Sequence, residues 1–548
     1  MRRSRKTFCL IICAVLCLAL CMAMLRTCSK KPAAGSFHML DFNDGLEESS
    51  RDDDYRTTYE IFVYSFCDSD GDGIGDLNGI RSKLDYIEDL GVDALWLTPV
   101  HPSSTYHKYD VDDYYDIDPE FGTMEDYEAL LKECHDRGME VYMDLVLNHT
   151  SDDNAWFKAA SDYLHELPSG WEPDPSYCKY YDYYNFSRQP AEGYTYLEGT
   201  EWYYESGFWS EMPELNLSSD AVRGEIRDIM AFWLGKGVDG FRLDAVTSYY
   251  NNNTAANTDF LRFLKETGRS IDQDCYFAGE AWTDRDAIAA LYTSGIDSLF
   301  DFPFSGKGGC IANTLNGNIS AADYVREMIA AEETYAAANH DYVGAPFYTN
   351  HDMDRSAEYY PDESGAAVKM AYAMDLFMTG NAFVYYGEEL GMSGSGRDEN
   401  RRAPMYWSDD AGDPGMCSGP PGMDPVQMKF PPAAEQLKDD MSVHRWFNEV
   451  IRVRRAFPAI ARGRTENLDS VTDDSTAAFF RRCDNEDDVL IVMNMSAQTV
   501  EKDLGSAADG FAPAAVLNTS EEHIIYSDGS LILPGYSIAI FKGDIQEL

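Results

Sequence analysis

The sequence of 548 residues predicts an α/β fold: a (β/α)8 TIM barrel with a small domain inserted after its third strand, followed by a C-terminal all-β sandwich domain. Three observations favour this fold. Short apolar runs alternate with helical patterns over most of the chain, which is typical of parallel α/β sheets. One connection between two such runs is too long for an ordinary loop. From about residue 463 the pattern changes to short alternating runs.

Eight apolar runs are predicted as the barrel strands, and helical patterns occupy several of the gaps between them. Eight parallel strands alternating with helices are the pattern of a closed barrel. The barrel is expected to comprise residues 57–148 and 217–462. The predicted strands are 59–66, 94–100, 139–147, 240–246, 276–281, 298–302, 345–349 and 382–386, and the predicted helices include 77–90, 124–137, 221–236, 258–269 and 441–457.

Two further folded units and a linker complete the predicted organisation. Residues 149–216 are crowded with Tyr, Trp, Asp, Pro and Gly, and they are predicted to form the inserted domain because no loop is that long. Residues 463–548 contain short alternating runs, such as 537–541, which predict the β-sandwich. Residues 32–56 are polar and acidic and are predicted to be a linker.

The first 31 residues have the pattern of a targeting segment. Basic residues between Arg2 and Lys6 precede an uncharged apolar run, 8–25. This pattern predicts a signal peptide for export, and the length of the run also permits an uncleaved membrane anchor. Cys28 leaves lipid attachment as a third possibility. The bulk of the chain is expected outside the cytoplasm, either secreted or tethered to the outer face of the cell membrane.

The composition is strongly acidic, with 95 Asp and Glu residues against 44 Lys and Arg residues. Such a surface repels nucleic acids and anionic membranes, whereas a neutral polymer such as a carbohydrate is not repelled. The alternative is that the acidity serves only solubility or salt tolerance. The cysteines beyond the targeting segment are isolated, so neither a zinc site nor a disulfide framework is expected.

The stretch 240–246 carries the first candidate site residues. Arg242 and Asp244 lie two positions apart, so on an extended strand their side chains point to the same face. The Arg242 guanidinium is expected to keep Asp244 ionised and its pKa low, which suits a nucleophile. A structural ion pair is the alternative interpretation.

Acids also occur at the ends of other predicted strands. Glu280 lies at the end of the fifth strand, and Asp352 follows the seventh. Functional groups of such barrels gather at the C-terminal ends of the strands, so these acids are expected to meet Asp244 at one mouth. Crowded carboxyl groups drive one another's pKa values apart. Cleavage of a glycosidic bond needs this combination: an acid for the leaving oxygen and a carboxylate for the anomeric carbon.

From about Tyr59 to the C-terminus, the sequence resembles the α-amylase family of glycoside hydrolases. The matching blocks, in the order of the family, are 144–149, 212–216, 240–246, Glu280 and 350–352. The resemblance implies that Asp244 is the nucleophile and Glu280 the general acid/base. Asp352 would grip the sugar hydroxyl groups and stabilise the transition state. A retaining mechanism is then expected, with the two reacting carboxyl groups roughly 5–5.5 Å apart.

The same resemblance implies a set of sugar-binding residues. The arginine would position the nucleophile, two histidines would hydrogen-bond the sugar, and the tyrosine would stack on it. For His107 a purely structural role is the alternative. Asp144 and Asn148 are expected only to brace the end of the third strand. The implied sugar-binding residues are His107, Tyr109, Asp110, His149, Arg242 and His351.

A run of acids, residues 68–76, follows the first predicted strand. Aspartates at alternate positions, with glycines between them, suit a hard cation such as Ca²⁺. An EF-hand would need Glu at its twelfth position, where Gly79 stands. The run resembles instead the calcium loop of oligo-1,6-glucosidases and neopullulanase-like enzymes, and a solvated acidic turn is the alternative. The implied ligands of a structural Ca²⁺ are Asp68, Asp70, Asp72, the carbonyl group of Ile74, and Asp76.

Two positions bear on which glycosidic bond is cleaved. Ala245, directly after the implied nucleophile, resembles enzymes that favour α-1,4 bonds, whereas strict α-1,6 enzymes tend to carry Val there. The block 212–216 is closer to the neopullulanase form, although Glu214 replaces the usual Asp. Together with the calcium loop, this mixture resembles an intermediate group of secreted α-amylases.

The expected function is therefore endo-acting hydrolysis of α-1,4 bonds in starch or maltodextrins, by a monomer. Two alternatives within the enzyme class stay open: an exo-acting α-glucosidase or oligo-1,6-glucosidase, and a glucanotransferase. The alternative from another class is a non-catalytic, amylase-like ectodomain of a membrane-anchored subunit. The presence of all three acids with the arginine and both histidines favours the enzyme.

Overall fold

The computed structural model describes residues 35–37, 43, 45–47, 53–361 and 364–543. The predicted signal segment lies outside these residues. Among the helices of the described residues, none is both long and apolar enough to span a lipid bilayer.

Seven parallel strands form a curved sheet in which neighbours follow chain order and the last strand pairs with the first. Two single bridges, Phe300 to Ala345 and Phe347 to Phe383, close the ring. Residues 345–347 thus occupy the seventh position, and the predicted (β/α)8 barrel is confirmed. The other barrel strands are Thr57–Ile61, Ala94–Leu97, Glu140–Leu145, Gly240–Leu243, Tyr276–Gly279, Ser298–Leu299 and Ala382–Tyr385.

Aromatic side chains fill the barrel. Trp96, Tyr142, Tyr276, Phe300 and Phe383 belong to one buried cluster with neighbouring alanines. Layers of bulky side chains make such a barrel a packed core rather than a pore. Polar residues at the C-terminal ends of the strands are therefore supported by apolar packing beneath them.

Helices alternate with the strands along the chain, and several begin at a capping side chain. Thr123 and Asp126 form a reciprocal capping box at one helix, and Ser320 and Asp323 form another. The helix predicted at 77–90 is two helices, because the backbone leaves the helical region at Lys83. The longer helices are Met124–Asp136, Asp220–Lys236, Thr254–Ile271, Arg285–Tyr292, Ala321–Ala338, Ala366–Leu376 and Val443–Ala456.

The first strand is shorter than the predicted range 59–66. It ends at Ile61, and Val63–Phe66 form a helical turn. The acidic loop that follows folds back onto this turn, since Gly75 N donates to Tyr64 O and Asp76 N donates to Cys67 O. The first strand was predicted to continue through residues 63–66, where the structure has this helical turn, and the acidic loop contacts the turn.

The inserted segment folds as a small unit beside the third strand. It contains the helix Ala155–Glu166 and a three-stranded antiparallel sheet. A bridge between His149 and Glu214 brings the end of the segment back to its beginning. The strands of this sheet are Phe186–Ser187, Tyr194–Tyr196 and Tyr203–Glu205.

The C-terminal region is built from two antiparallel sheets. Leu490, Val492, Leu531 and Leu533 come from both sheets and share one buried core. One sheet contains Arg464–Asn467, Thr476–Arg482, Val489–Asn494, Ser537–Gly543 and Phe511–Asn518, and the other contains Gly35–Phe37, Ile524–Ser527, Ser530–Leu533 and Val500–Asp503.

Residues 32–56 are not only a linker, in contrast to the prediction. Gly35–Phe37 pairs antiparallel with the strand Ile524–Ser527. Asn43 donates from Nδ2 to Val516 O at 2.9 Å and accepts at Oδ1 from Val516 N at 3.2 Å. An open sheet edge leaves backbone groups unpaired, and this segment pairs with such an edge.

Candidate active site

The strand register places the charged residues of the site inside the barrel. Trp96 belongs to the interior cluster, and it pairs in register with Glu60 and Tyr142. Paired residues share a face of the sheet, and so do residues two positions apart on one strand. Asp144 follows Tyr142 by two positions and pairs with Arg242. These polar side chains therefore all point into the barrel.

Arg242 joins three acids at the strand ends. Its side chain is 1% exposed, and its Nη1 lies 2.9 Å from Oδ1 of Asp144 and 2.8 Å from Oδ1 of Asp244. Its Nη2 lies 3.0 Å from Oε2 of Glu280. The residues predicted at the ends of the third, fourth and fifth strands thus meet around one guanidinium.

Burial raises the pKa values of both Asp244 and Glu280 to about 7. Arg242 lowers both pKa values, as its charge predicts, but burial is the larger effect. The expectation of a low pKa for Asp244 is therefore wrong, because a carboxylate withdrawn from water is costly even beside a cation. The charges of Asp244 and Asp352 also raise the pKa of Glu280, and those of Asp144 and Asp352 raise the pKa of Asp244. Both acids therefore titrate near neutral pH.

Asp352, which follows the seventh barrel position, is by contrast an anion. Arg402 Nη2 lies 2.7 Å from its Oδ1, and His351 Nε2 lies 3.2 Å from its Oδ2. Although burial opposes it, the charges of Arg402 and Arg242 and the hydrogen bond from Arg402 keep the pKa of Asp352 below its ordinary value. No sequence motif marks Arg402. Its only signal is a pair of arginines in the irregular segment after the eighth strand.

The acids line a cavity of about 430 Å³. Of the predicted sugar-binding residues, His107, Tyr109, His149 and His351 also line it. Asp110, for which sugar binding stays a prediction, accepts a hydrogen bond at Oδ1 from Ser103 Oγ at 2.7 Å and braces the preceding loop.

Tyr109 and His351 pack together where they line this cavity. Their rings stack with centroids 5.3 Å apart and planes inclined by 11°. The Tyr109 hydroxyl donates to Oδ2 of Asp144 at 2.9 Å, and Nε2 of His149 lies 3.1 Å from the Tyr109 carbonyl oxygen. Asp144 thus does more than brace the end of the third strand, because it also pairs with Arg242 and orients Tyr109.

Exposed aromatic rings border the cavity on two sides. Phe208 and Trp209, from the inserted domain, are 50% and 67% exposed, and Phe208 packs against His149 after the third strand. Trp282, which follows the fifth strand, is 54% exposed and stacks on Phe302 with ring centroids 4.9 Å apart. Since the strand of Asp244 lies between the third and the fifth strands, Asp244 lies between these two groups of aromatic rings.

The acidic loop brings three of the predicted metal ligands together. Carboxylate oxygens of Asp68, Asp70 and Asp76 lie within 4.8 Å of one another. Burial and then the charges of these three raise the pKa of Asp72 beside them. Ile74 N donates to Oδ1 of Asp72 at 2.8 Å, which places Ile74 at the same turn. Crowded carboxylates of this kind fit a hard divalent cation.

A family profile described as "Alpha amylase, catalytic domain" matches residues 60–463 of the chain. This protein belongs to the α-amylase family. Alpha-amylase 3 of Dictyoglomus thermophilum is 36% identical over 446 residues, which are 80% of this chain and 84% of that protein. An oligo-1,6-glucosidase of Heyndrickxia coagulans is 30% identical in an alignment of 521 positions, gaps included, that covers 81% of this chain and 92% of that protein.

Two solved structures extend the similarity to nearly the whole chain. Eubacterium rectale Amy13B is 45% identical and superposes with a TM-score of 0.91 over 93% of this chain and 99% of its own. An α-amylase from H. orenii is 30% identical, with a TM-score of 0.79 over 90% of this chain and 100% of its own. As a member of the α-amylase family, the protein is a retaining glycoside hydrolase that acts on α-glucosidic bonds.

Proposed function

We propose that this α-amylase family enzyme cleaves internal α-1,4-glucosidic bonds of starch and maltodextrins. The observation that carries the proposal is the presence of exposed aromatic rings at the cavity on both neighbours of the Asp244 strand: Phe208 and Trp209 on one side and Trp282 on the other. Aromatic faces suit the apolar faces of pyranose rings. Aromatic rings on both sides of the nucleophile suit a glucan chain that continues beyond the scissile bond in both directions. The α-amylases among its relatives support the same linkage.

In this proposal Glu280 carries a proton and Asp244 is ionised when the substrate is bound. Glu280 donates its proton to the glycosidic oxygen while Asp244 attacks the anomeric carbon, so that the bond to the leaving sugar breaks. Water then attacks the anomeric carbon and gives a proton to Glu280, and Asp244 departs as a carboxylate. Asp352 stays ionised throughout and accepts hydrogen bonds from the sugar hydroxyl groups.

Products from maltoheptaose test the bond position. We expect a mixture of short maltodextrins from the first turnovers. Glucose alone would indicate exo action, and products longer than maltoheptaose would indicate transfer to sugar. Activity only on isomaltose-type substrates would favour the oligo-1,6-glucosidase alternative, which relatives of that name also suggest.

Replacement of the nucleophile tests the residue assignment. We expect Asp244→Asn to lose about three orders of magnitude or more in kcat, because removal of a covalent nucleophile is rarely compensated. Asp162→Asn, on the exposed face of the helix Ala155–Glu166, is the matched control and should keep wild-type activity. Wild-type activity in Asp244→Asn would overturn the assignment.

We also propose that the loop 68–76 holds a structural Ca²⁺ and that the enzyme works outside the cytoplasm. Asp68, Asp70, Asp72, Asp76 and the carbonyl group of Ile74 are the proposed ligands, supported by the convergence of three of these carboxylates. Bound there, the ion would neutralise the crowded acids and hold the loop on the turn that follows the first strand. The basic and apolar pattern of residues 1–31 supports export.

A further inference from the structure

Glu60 is a buried acid to which the proposed reaction assigns no role. It lies on the first barrel strand with 1% of its surface exposed, and its Oε1 is 2.6 Å from Nδ1 of His351. The other ring nitrogen of His351 faces Asp352 and Tyr109. Glu60 is thus connected to the reacting groups through the imidazole ring.

The hydrogen-bond partners of His351 determine where the ring carries its proton. Tyr109 uses its single hydroxyl proton on Asp144, and burial raises the pKa of Tyr109 well above its ordinary value, so the phenol stays intact. Toward Nε2 of His351, 2.8 Å away, the Tyr109 oxygen can then only accept. Asp352 Oδ2, 3.2 Å from the same nitrogen, belongs to a carboxylate. With acceptors on both sides, Nε2 must carry a proton.

One further proton then lies between Nδ1 of His351 and Glu60. Either Glu60 is a carboxylic acid that donates to a neutral ring, or it is a carboxylate beside an imidazolium. Burial raises the pKa of Glu60 well above its ordinary value and lowers the pKa of His351 to about 3, so both shifts favour the neutral pair. Arg242 and a hydrogen bond from the His351 backbone oppose this effect of burial on Glu60, whereas Asp352 and Asp144 reinforce it. The titratable and charged groups around Glu60 are His351, Arg242, Asp144, Asp352 and Tyr385.

We propose that Glu60 is a positioning residue of the active site, whose protonated carboxyl group donates to Nδ1 of His351 and fixes the tautomer with Nε2–H facing Asp352. The hydrogen bond at one imidazole nitrogen decides the protonation of the other. A neutral hydrogen-bond donor adds no further negative charge to a site that already holds several carboxylates around Arg242 and Arg402. The proposal rests on the hydrolytic site described above, and it adds the group that orients His351.

Two substitutions of Glu60 separate a protonated donor from a carboxylate. The amide of Glu60→Gln can donate to Nδ1 as the carboxylic acid does, so kcat and the pH profile should stay close to those of the wild type. Glu60→Leu offers no donor and should lower kcat by about 10- to 100-fold, a typical loss when the partner that orients a functional histidine is removed. Equal losses in both variants, or no loss in Glu60→Leu, would overturn the proposal.

Glu389→Gln is the matched control for a buried glutamate of the barrel. Its carboxylate accepts from the Tyr59 and Tyr86 hydroxyl groups, each at 2.7 Å, and has no contact with His351. This variant is expected to change the unfolding temperature but not kcat.

Infrared spectra provide a measurement that requires neither enzymatic activity nor the Glu60→Leu variant. At neutral pH the protonated-carboxyl region of the wild-type spectrum, to which Asp244 and Glu280 also contribute, should contain a component that is missing from Glu60→Gln. Identical spectra in this region would overturn the protonated state of Glu60. If the wild type failed to cleave α-1,4 bonds, the proposed substrate would be wrong, but the infrared comparison would still test Glu60.

Discussion

At the level of single residues, the raised pKa values of Asp244 and Glu280 make the stability of the folded state depend on pH. In the unfolded chain a glutamate ionises near pH 4.3, about its ordinary pKa, whereas folded Glu280 keeps its proton until about pH 7. Between these values the folded state binds more protons than the unfolded state, so stability falls as pH rises through this window. A functional acid in this position therefore lowers stability at neutral pH.

Glu280→Gln should consequently unfold at a higher temperature than the wild type at pH 8, and this difference should shrink as the pH falls toward 4. Asp352→Asn is the control of opposite sign. The pKa of folded Asp352 lies below its ordinary value, so its stabilisation is complete at neutral pH and is lost only on strong acidification. Asp352→Asn should therefore lower the unfolding temperature at pH 8. Calorimetry over this pH range checks both, and a fall at pH 8 for Glu280→Gln would contradict the shifted pKa.

Ala245 carries the second prediction at this scale. Its φ is 46°, its N–H donates to Oε2 of Glu280 at 2.8 Å, and it lines the cavity. A β-branched residue is strained at positive φ and narrows the cavity beside the nucleophile. Ala245→Val is expected to lower kcat/KM for maltoheptaose by about tenfold, equivalent to about 1.4 kcal/mol of the barrier. An α-1,6-linked substrate should lose less.

Ala245→Gly is the control for this substitution, because glycine accepts the same φ and leaves the cavity open. It should keep kcat/KM close to the wild type on both substrates. Equal losses of Ala245→Val on α-1,4 and α-1,6 bonds would mean that the residue affects only the backbone and not the choice of linkage.

At the scale of elements, the acidic loop and the turn it folds onto form one unit. Asp68 accepts from the backbone N–H groups of Gly71 and Gly73 at 2.6 and 2.8 Å, and Asp76 caps the helix Leu77–Ser82. The loop is therefore ordered by its own backbone, but its carboxylates still crowd one another. A bound cation should stabilise the fold rather than take part in bond cleavage.

Chelation with EDTA is expected to lower the unfolding temperature while kcat, measured well below that temperature, stays nearly constant. Ca²⁺ at 100 times its Kd contributes about 2.7 kcal/mol by mass action. Asp70→Asn should abolish most of the Ca²⁺-dependent shift, and Asp162→Asn should retain it. If neither EDTA nor added Ca²⁺ changed the unfolding temperature, the loop would be a solvated acidic turn.

The elements also show what could be predicted from the sequence. Asp244 and Glu280 could be predicted from the sequence, because strand periodicity and the gathering of functional groups at C-terminal strand ends place them without knowledge of the strand register. Glu60 could not be predicted, because only its register with Trp96 shows that its side chain points into the barrel. Arg402 comes from a segment without periodicity, so only the folded chain brings it to Asp352. The helical turn after Ile61 depends on contacts with the acidic loop. Local secondary-structure propensity does not predict contacts between separate segments.

At the scale of the whole molecule, the formal net charge of −51 acts on folding and on substrate binding in different ways. Like charges spread over one molecule repel one another and favour expansion of the chain. Salt screens this repulsion over about 8 Å at physiological ionic strength. A neutral glucan, however, has no charge for this field to attract or repel.

Raising NaCl from about 10 mM to about 500 mM, which shortens the screening length severalfold, should therefore raise the unfolding temperature and leave kcat/KM for maltoheptaose nearly unchanged. Ca²⁺ must be saturating throughout, so that competition at the loop 68–76 does not enter, and KCl in place of NaCl tests for a specific effect of sodium. A lower unfolding temperature at high salt would indicate that local ion pairs, such as Arg242 with its acids, outweigh the general repulsion. A strong salt dependence of kcat/KM on the neutral substrate would mean that screening reaches the buried site itself, in conflict with its low exposure.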